Sequence, residues 1–155
     1  MTNPFGCGPN PCSWTCRESL CSKCSGEVPT VIPATIAGFV NTGNCADCTN
    51  INTTWLNEFR SEPSECEWIK GEIGFACGGD VNVWVEFIED FGGGGGTWFM
   101  QVRIIITQPP LSQTHIFRTT ASQATWDCTT NRAIPWNSQS GSFLCDSSGA
   151  TCVIN

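Results

Sequence analysis

The chain is 155 residues long, with 12 cysteines and 7 basic against 14 acidic side chains, so its formal net charge is -7. The basic residues are scattered, and binding to phosphates requires a basic stripe, so the composition disfavours nucleic-acid partners. Charged residues make up 14% of the chain, whereas an ordinary soluble domain has about 25%. This low charge, with 7 tryptophans, fits either an aromatic-rich core or a surface covered by neighbouring subunits.

The first part of the chain differs in composition from the rest. Residues 1–32 are rich in Cys, Pro and Gly and have no sustained hydrophobic period, which predicts an N-terminal arm. Residues 33–155 contain short alternating segments, which predict a β-sandwich domain. The first is PATIAGFVN, followed by the loop TGNCADCTN and by TTWLNEFR, in which Trp55, Asn57 and Phe59 share one face.

A predicted hairpin occupies the middle of the chain. VNVWVEFIED and TWFMQVRIIITQ alternate with period 2 on either side of a run of five glycines, a pattern typical of a β-hairpin with an extended tip. The glycine tip is expected to be a solvated loop or a segment that becomes ordered only against a neighbour. Before this hairpin, ECEWIKGEIGFACGG predicts a second hairpin or short meander that turns near Lys70 and Gly71.

The last third of the chain predicts further short strands, in THIFRTT, ATWDCTTNRAIPW and GSFLCDSSGATCVIN. The whole chain then contains seven to nine short strands and no segment with convincing helical period. This pattern indicates an all-β fold, an antiparallel β-sandwich or partly open barrel, with a Cys-rich arm at its N-terminus.

The cysteines are even in number and spread over the arm and the predicted strands, which indicates a disulfide framework. Reduced structural thiols are an alternative. The disulfide candidates are Cys7, Cys12, Cys16, Cys21, Cys24, Cys45, Cys48, Cys66, Cys77, Cys128, Cys145 and Cys152. Five of them lie in the arm. If all are oxidised within one chain, at least one arm cysteine must reach the β domain; a disulfide to another subunit is the alternative.

Four of the cysteines also match the spacing of a zinc ribbon. Cys21 and Cys24 form one Cys-x-x-Cys pair, and Cys45 and Cys48 form a second after 20 residues, within the spacing of known ribbons. We expect no cofactor, and the alternative is a zinc ion bound by these four thiolates. Redox catalysis is disfavoured, because the βαβ setting that lowers a Cys-x-x-Cys pKa is missing.

No catalytic motif is evident, and the protein is expected not to be an enzyme. His115, the only histidine, is accompanied by neither a Gly-x-Ser-x-Gly nor a papain-type cysteine motif, so an ordinary strand-edge residue is expected. Alternation places Glu86 and Glu89 on opposite faces, which disfavours a glycosidase pair. With Asp90 they predict a solvated strand end, a calcium site being the alternative.

The tryptophans are the candidates for an interface or for a glycan-binding platform, because a flat apolar ring can stack on a sugar. These candidates are Trp84, Trp98, Trp126 and Trp136. Packing in a core or at an interface is the simpler interpretation. Asn52–Thr54 is a glycosylation sequon, meaningful only in a glycosylating host.

The expected location follows from the cysteines and from the N-terminal sequence. MTNPFGCGPNPC lacks the charged and apolar regions of a secretory signal, and no run approaches the ~18 apolar residues of a membrane span. Disulfides nevertheless persist outside the reducing cytosol. A virion protein that leaves the cell by lysis and oxidises afterwards satisfies both observations. A mature secreted chain with an added Met and a metal-rich cytosolic protein are the alternatives.

One stretch carries a resemblance to known proteins. IPATIAGFVNTGNCADCTNINTTWLNEF, with its proline-led first strand, Cys-x-x-Cys and Asn-Thr-rich second strand, resembles cysteine-rich β-sheet proteins of unassigned function in tailed phages and some environmental bacteria. The resemblance covers about residues 30–130, and Thr53 stands where those proteins more usually have glycine. It implies an extracellular or virion-associated structural module and assigns no functional residues.

Together these features predict a non-enzymatic structural protein of a virion, such as a tail, collar, baseplate or capsid-decoration component of a tailed phage. Its expected partners are other virion proteins and copies of itself, with neither nucleic acid nor membrane. A secreted or cell-surface glycan-binding β module is the first alternative. A zinc-ribbon adaptor is the second.

Overall fold

The computed structural model describes residues 21–43, 48–59, 66–74 and 79–155, which form an all-β structure. The strands are β1 (Val31–Ala37), β2 (Val40–Asn41), β3 (Thr54–Phe59), β4 (Trp68–Gly74), β5 (Gly79–Glu89), β6 (Trp98–Gln108), β7 (Leu111–Arg118), β8 (Arg132–Ile134), β9 (Trp136–Gly141), β10 (Cys145–Asp146) and β11 (Thr151–Ile154). Two short 3₁₀ helices cover Cys48–Ile51 and Phe91–Gly93.

Nine of these strands form one antiparallel sheet in the order β8-β11-β1-β3-β4-β5-β6-β7-β9, while β10 pairs with β2. The expectation of an antiparallel sandwich or partly open barrel with seven to nine short strands is therefore confirmed. Because β1 begins at Val31, the first strand starts just before the predicted boundary at residue 33. Residues 1–20 of the predicted arm lie outside the described residues.

The large sheet nearly closes on itself at Pro135. The two outermost strands, β8 and β9, are consecutive in the chain and are separated by this residue alone. β8 pairs with β11 whereas β9 pairs with β7, so the chain changes partner at Pro135, which has no N–H to donate. The Pro135 carbonyl accepts a hydrogen bond from the Arg118 N–H at 2.9 Å.

Strand alternation places the core inside this curved sheet, since successive side chains point to opposite faces. The period-2 alternation predicted for the central hairpin is confirmed: Val83 and Val85 are fully buried, and so are Val102 and Ile104 on the neighbouring strand. The face of β3 that carries Trp55 is likewise buried. Ile69 and Ile105, which have the opposite parity in β4 and β6, are only partly buried.

The predicted turn near Lys70 and Gly71 is wrong. β4 continues through both residues and pairs with β5 from Trp68 to Ile73. The Asn82 side chain of β5 occupies the space in which a Cβ on Gly71 would lie, so a glycine fits this position. Close approach of a neighbour, rather than chain reversal, explains the glycine.

Strand directions define two ends of the barrel. The arm end contains residues 21–30, 89–97 and 119–131, and the opposite end contains residues 38–43, 48–53 and 142–150. We call residues 142–150 the plug, because Leu144, Cys145 and Ser147 within it are fully buried. The segments at each end carry the side chains discussed below.

Candidate functional site

Three disulfides join the described parts of the chain at the two ends of the barrel. Cys21 bonds to Cys66 and Cys24 to Cys128 at the arm end, and these residues are separated by 45 and 104 positions. Two arm cysteines therefore reach the β domain. At the opposite end Cys48 bonds to Cys145, 97 positions away. Because the disulfides join segments so far apart in sequence, they restrict the unfolded chain strongly.

The cysteines of the alternative zinc ribbon are not paired with one another. Cys21, Cys24 and Cys48 are each bonded to a distant cysteine, and a disulfide sulfur is not the thiolate that zinc binds. Among the described residues no group of three or more His, Cys, Asp or Glu side chains is placed to hold a metal ion. Five disulfide candidates lie outside the described residues: Cys7, Cys12, Cys16, Cys45 and Cys77. Cys45 is also the fourth cysteine of the zinc alternative.

The expectation that Cys152 forms a disulfide is wrong. Its thiol is free and 1% exposed. The residue lies in β11 opposite Ile36 on one side and Ile134 on the other, so it fills a position in an apolar face. Burial raises the pKa of the thiol to about 12. Cys152 thus packs as a small apolar side chain, and it is protected from reaction.

A buried polar network is centred on Ser147 in the plug. Its hydroxyl lies 2.6 Å from Nδ1 of His115, accepts a hydrogen bond from Nε1 of Trp136 at 2.9 Å and donates to Oε1 of Gln139 at 3.4 Å. His115 is fully buried on the inner face of β7, so the expected strand-edge position is wrong. The network links the plug to β7 and β9, which lie side by side.

His115 is held in its neutral form by this environment. Burial lowers its pKa to about 4, although the nearby Asp146 carboxylate acts in the opposite direction. Its Nε2 is buried with no hydrogen-bond partner among the described residues, and the edge of Phe39 packs against the ring at 4.9 Å between centroids. Ser147 is fully buried as well. The pair therefore stabilises the plug and presents no nucleophile to solvent.

Gln113 is a second inward-facing polar residue that the sequence analysis missed. Its Oε1 accepts hydrogen bonds from the backbone N–H groups of Leu144 and Cys145, both at 2.8 Å. The side chain thereby holds the plug beside the Cys48–Cys145 disulfide. The sequence does contain a signal for this role, since Gln113 has the same parity in β7 as Phe117. A polar side chain at such a core position needs a hydrogen-bond partner.

The four candidate tryptophans lie in different places. Trp84 is partly buried on the outer face, with the Arg103 guanidinium 4.1 Å above its ring. Trp98 and Trp126 meet at the arm end, where the indole N–H of Trp126 donates to the Trp98 carbonyl at 2.8 Å and only 3% of Trp126 is exposed. Packing explains these three residues. They do not form one platform with Trp136.

Trp136 is the tryptophan that remains available to a ligand. It is 39% exposed, and its indole N–H is held by Ser147, so the orientation of the ring is set by the buried network. The ring borders a groove of about 450 Å³ beside Pro135, between the start of β9 and β11. The groove is lined by Ala133, Ile134, Pro135, Trp136, Ala150, Thr151, Cys152 and Val153.

The acidic residues near the glycine loop also differ from the expectation. Glu86 is 7% exposed rather than solvated. Its carboxylate accepts hydrogen bonds from Nε and Nη2 of Arg103 at 2.9 and 3.0 Å and from Nε2 of Gln101 at 2.7 Å. Gln101 and Arg103 lie on the neighbouring strand in register with Glu86 and Trp84. Glu86 can remain buried because each carboxylate oxygen has a partner, while 29% of the Arg103 side chain stays exposed.

The glycine loop itself is ordered by Glu89 and Asp90. Asp90 accepts hydrogen bonds from the Gly93 N–H at 3.1 Å and the Ser122 hydroxyl at 2.6 Å, and Glu89 accepts one from the Gly96 N–H at 3.1 Å. These carboxylates face N–H and O–H donors. Phe91 at the start of the loop is 79% exposed.

The sequon asparagine has a structural partner. Nδ2 of Asn52 donates to the Phe39 carbonyl at 2.9 Å, and its Oδ1 accepts from the Phe39 N–H at 2.8 Å. Asn52 thus holds the segment between β1 and β2 in the way that a neighbouring strand would.

Comparisons with protein-family models, with curated proteins and with solved structures found no match to this chain. Within the described residues, no helix has the length and apolar character needed to span a membrane.

Proposed function

We propose that this protein is a non-enzymatic structural component of an extracellular assembly, and specifically of a virion such as that of a tailed phage. The observation that carries the proposal is the covalent closure of both ends of a nearly closed β-sheet by the disulfides Cys21–Cys66, Cys24–Cys128 and Cys48–Cys145. Such bonds persist in oxidising surroundings and resist unfolding where no chaperone is present.

The buried polar groups support a structural role. His115 and Ser147 would be the natural residues for acyl transfer, yet both are fully buried, and the histidine contacts the serine through Nδ1. Gln113 and Asn52 likewise hold backbone segments in place. These side chains contribute to the rigidity of the end that carries the plug.

The test is to locate the native protein. Peptide mass mapping of purified extracellular particles, compared with the cell pellet of the same culture, should find the chain in the particles at a fixed stoichiometry. Alkylation before and after reduction should show Cys21, Cys24 and Cys48 protected until reductant is added. Recovery only from the cytosolic fraction, with these thiols alkylated directly, contradicts the proposal.

A glycan-binding module is the second candidate, and the exposed ring of Trp136 favours it. A ring whose indole N–H is fixed by Ser147 is pre-oriented, which lowers the entropy cost of binding. On a glycan array the wild type should bind a defined sugar, and Trp136→Ala should abolish binding. Trp84→Ala is the control, since the Trp84 ring is covered by Arg103. Equal loss in both variants, or no binding by the wild type, excludes this candidate.

A further inference from the structure

The nine-stranded sheet is split between β3 and β4. These strands pair only through Glu58 with Ile69 and Phe59 with Trp68. Thr54 to Asn57 continue to pair with β1, and Lys70 to Ile73 continue to pair with β5. In this described part of the sheet, two strand edges therefore face each other without a ladder between them.

A groove of about 350 Å³ occupies the split. Its lining comes from both strands and from the residue before β3: Thr53, Thr54, Trp55, Leu56, Glu58, Lys70 and Glu72. Leu56 lies on the outer face of β3 and is 56% exposed. Lys70 and Glu72 have the parity of the fully buried Trp68, yet both are exposed. The side chains of Lys70 and Glu72 thus border solvent instead of the core.

The split is a built feature, because β3 is attached to β5 beneath it. Asn57 is fully buried in β3, and its Nδ2 donates to the Val83 carbonyl of β5 at 2.5 Å. This bond crosses from β3 to β5 although β4 lies between them in the sheet order. On the other side, the ladder from Trp68 to Ile73 holds β4 against β5. Both borders of the groove are therefore fixed.

Unpaired strand edges offer main-chain N–H and C=O groups to another strand. In an antiparallel strand every second residue directs its N–H and C=O groups to the same edge. An unpaired edge of four residues therefore offers about four main-chain groups to a partner. A partner that supplies main-chain groups satisfies these edges, whereas a compact small molecule does not. The chemistry of the groove thus selects an extended peptide.

We propose that this groove binds an extended peptide segment of a partner protein, which adds to the sheet by main-chain hydrogen bonding at β3 or β4. The segment places an apolar side chain on Leu56 and a basic side chain near Glu58 and Glu72. Two carboxylates against one lysine make the lining net acidic, and the whole chain has a net charge of -7. Basic strands are therefore preferred over a second copy of this acidic chain. This site does not depend on a virion location.

The probe is a displayed library of random peptides about seven residues long, slightly above the average strand. The library is first depleted on Leu56→Lys and then selected on the wild-type protein. Enriched peptides should alternate apolar and basic residues, and their affinity should fall at least about tenfold for Leu56→Lys, a loss of about 1.4 kcal/mol. Val40→Lys is the matched control, because Val40 is 49% exposed but lies in β2. The affinity of Val40→Lys for the enriched peptides should equal that of the wild type.

Backbone methylation then tests whether the contact is a strand pairing. One synthetic peptide carries N-methyl groups at odd positions and a second carries them at even positions. One set should lose binding and the other should retain it, because alternate amides of a bound strand point toward or away from the sheet edge. Amide exchange at Lys70 to Ile73 or at Thr54 to Asn57 should slow on binding.

Three results overturn the proposal. The first is a library with no enrichment beyond that obtained on Leu56→Lys. The second is equal loss of binding in Leu56→Lys and Val40→Lys. The third is equal tolerance of both methylated peptides, which would show a side-chain contact instead of strand addition. Thermal melting of both variants, matched to the wild type, ensures that lost binding reflects the groove and not the fold.

Discussion

Nδ1 of His115 lies 2.6 Å from Oγ of Ser147, and both side chains are completely buried. This contact joins the inner face of β7 to the plug and orients the exposed ring of Trp136 through the same hydroxyl. It depends on a neutral imidazole, because protonation would place a charged N–H at Nε2, where no described residue accepts it.

The stability of the fold should therefore depend on pH through His115. Its pKa is about 4 in the folded protein against 6.5 for the unperturbed side chain, so the unfolded chain binds more protons between these values. The free energy of unfolding should fall by about 3 kcal/mol as the pH decreases from 6.5 to 4. Urea denaturation at a series of pH values measures this loss.

The matched variant for this experiment is His115→Gln, which removes the only histidine. Its free energy of unfolding should be lower at pH 7 and should change little down to pH 4. Hydrogen bonds from Thr130 and Thr129 lower the pKa of Asp127 to about 2 from 3.8. The stability that Asp127 contributes is therefore lost only below about pH 3.8, outside the range in which His115 acts. Equal slopes for variant and wild type above pH 4 would refute the role of His115.

The Glu86–Arg103 pair should show strong coupling. Arg103→Leu leaves the Glu86 carboxylate, 7% exposed, with Gln101 as its remaining described partner, so the free energy of unfolding should decrease by about 2 kcal/mol. The double variant Glu86→Leu/Arg103→Leu should lose less than Arg103→Leu alone. A double-mutant cycle by chemical denaturation measures the coupling, and strictly additive losses would contradict it.

Removal of the disulfide at the plug should cost stability. Cys48 and Cys145 are 97 positions apart, and closing a loop of this length stabilises a fold by about 4 kcal/mol in the chain-entropy description. Cys48→Ala/Cys145→Ala should unfold at correspondingly lower urea concentration and become more open to proteolysis within residues 142–150. An unchanged midpoint would mean that the unfolded chain is already restricted there.

The free thiol of Cys152 should report unfolding. Because burial raises its pKa to about 12, the native protein should react with iodoacetamide orders of magnitude more slowly at this residue than the urea-unfolded protein. Peptide mass spectrometry of the segment that contains Cys152 gives both rates. Rapid labelling of the native protein would show that β11 opens frequently.

Two glycines with left-handed backbone angles should tolerate alanine differently. Gly38 has φ +89°, and a Cβ there would lie 2.7 Å from the Gly149 carbonyl oxygen, whereas Gly26 has φ +82° with open space around it. Gly26→Ala should cost about 1 kcal/mol of backbone strain, and Gly38→Ala at least about 2 kcal/mol more, because backbone atoms must move. Thermal melting of the two variants compares them, and equal losses would contradict the close packing at Gly38.

The alternation of side chains was sufficient to predict the central hairpin. Val83, Val85 and Val102 are buried where their period places them, because a strand with one face in the core fixes its own register. The same reasoning failed at Glu86, for which it predicted a solvated strand end, whereas the carboxylate is buried and bound by Arg103. That partner comes from the neighbouring strand, so the pattern within one strand contains no information about it.

The groove between β3 and β4 was not predictable, and Gly71 shows why. A glycine flanked by Lys70 and Glu72 has the composition of a turn, yet β4 continues through it in register with β5, where the Asn82 side chain takes the space beside Gly71. The alternation predicts that Asn57 shares a face with Trp55, and both side chains are buried. The bond from Asn57 to Val83 depends on the sheet order, which no local pattern specifies.

By itself the sequence determined the β class, the strand faces and the presence of a disulfide framework, since these follow from local period and composition. Tertiary structure alone decided which cysteines pair, that Cys152 remains free, and that His115 is buried against Ser147. Each of these depends on contacts between residues far apart in the chain. Such contacts depend on the order of the strands in the sheet, which brings distant segments side by side.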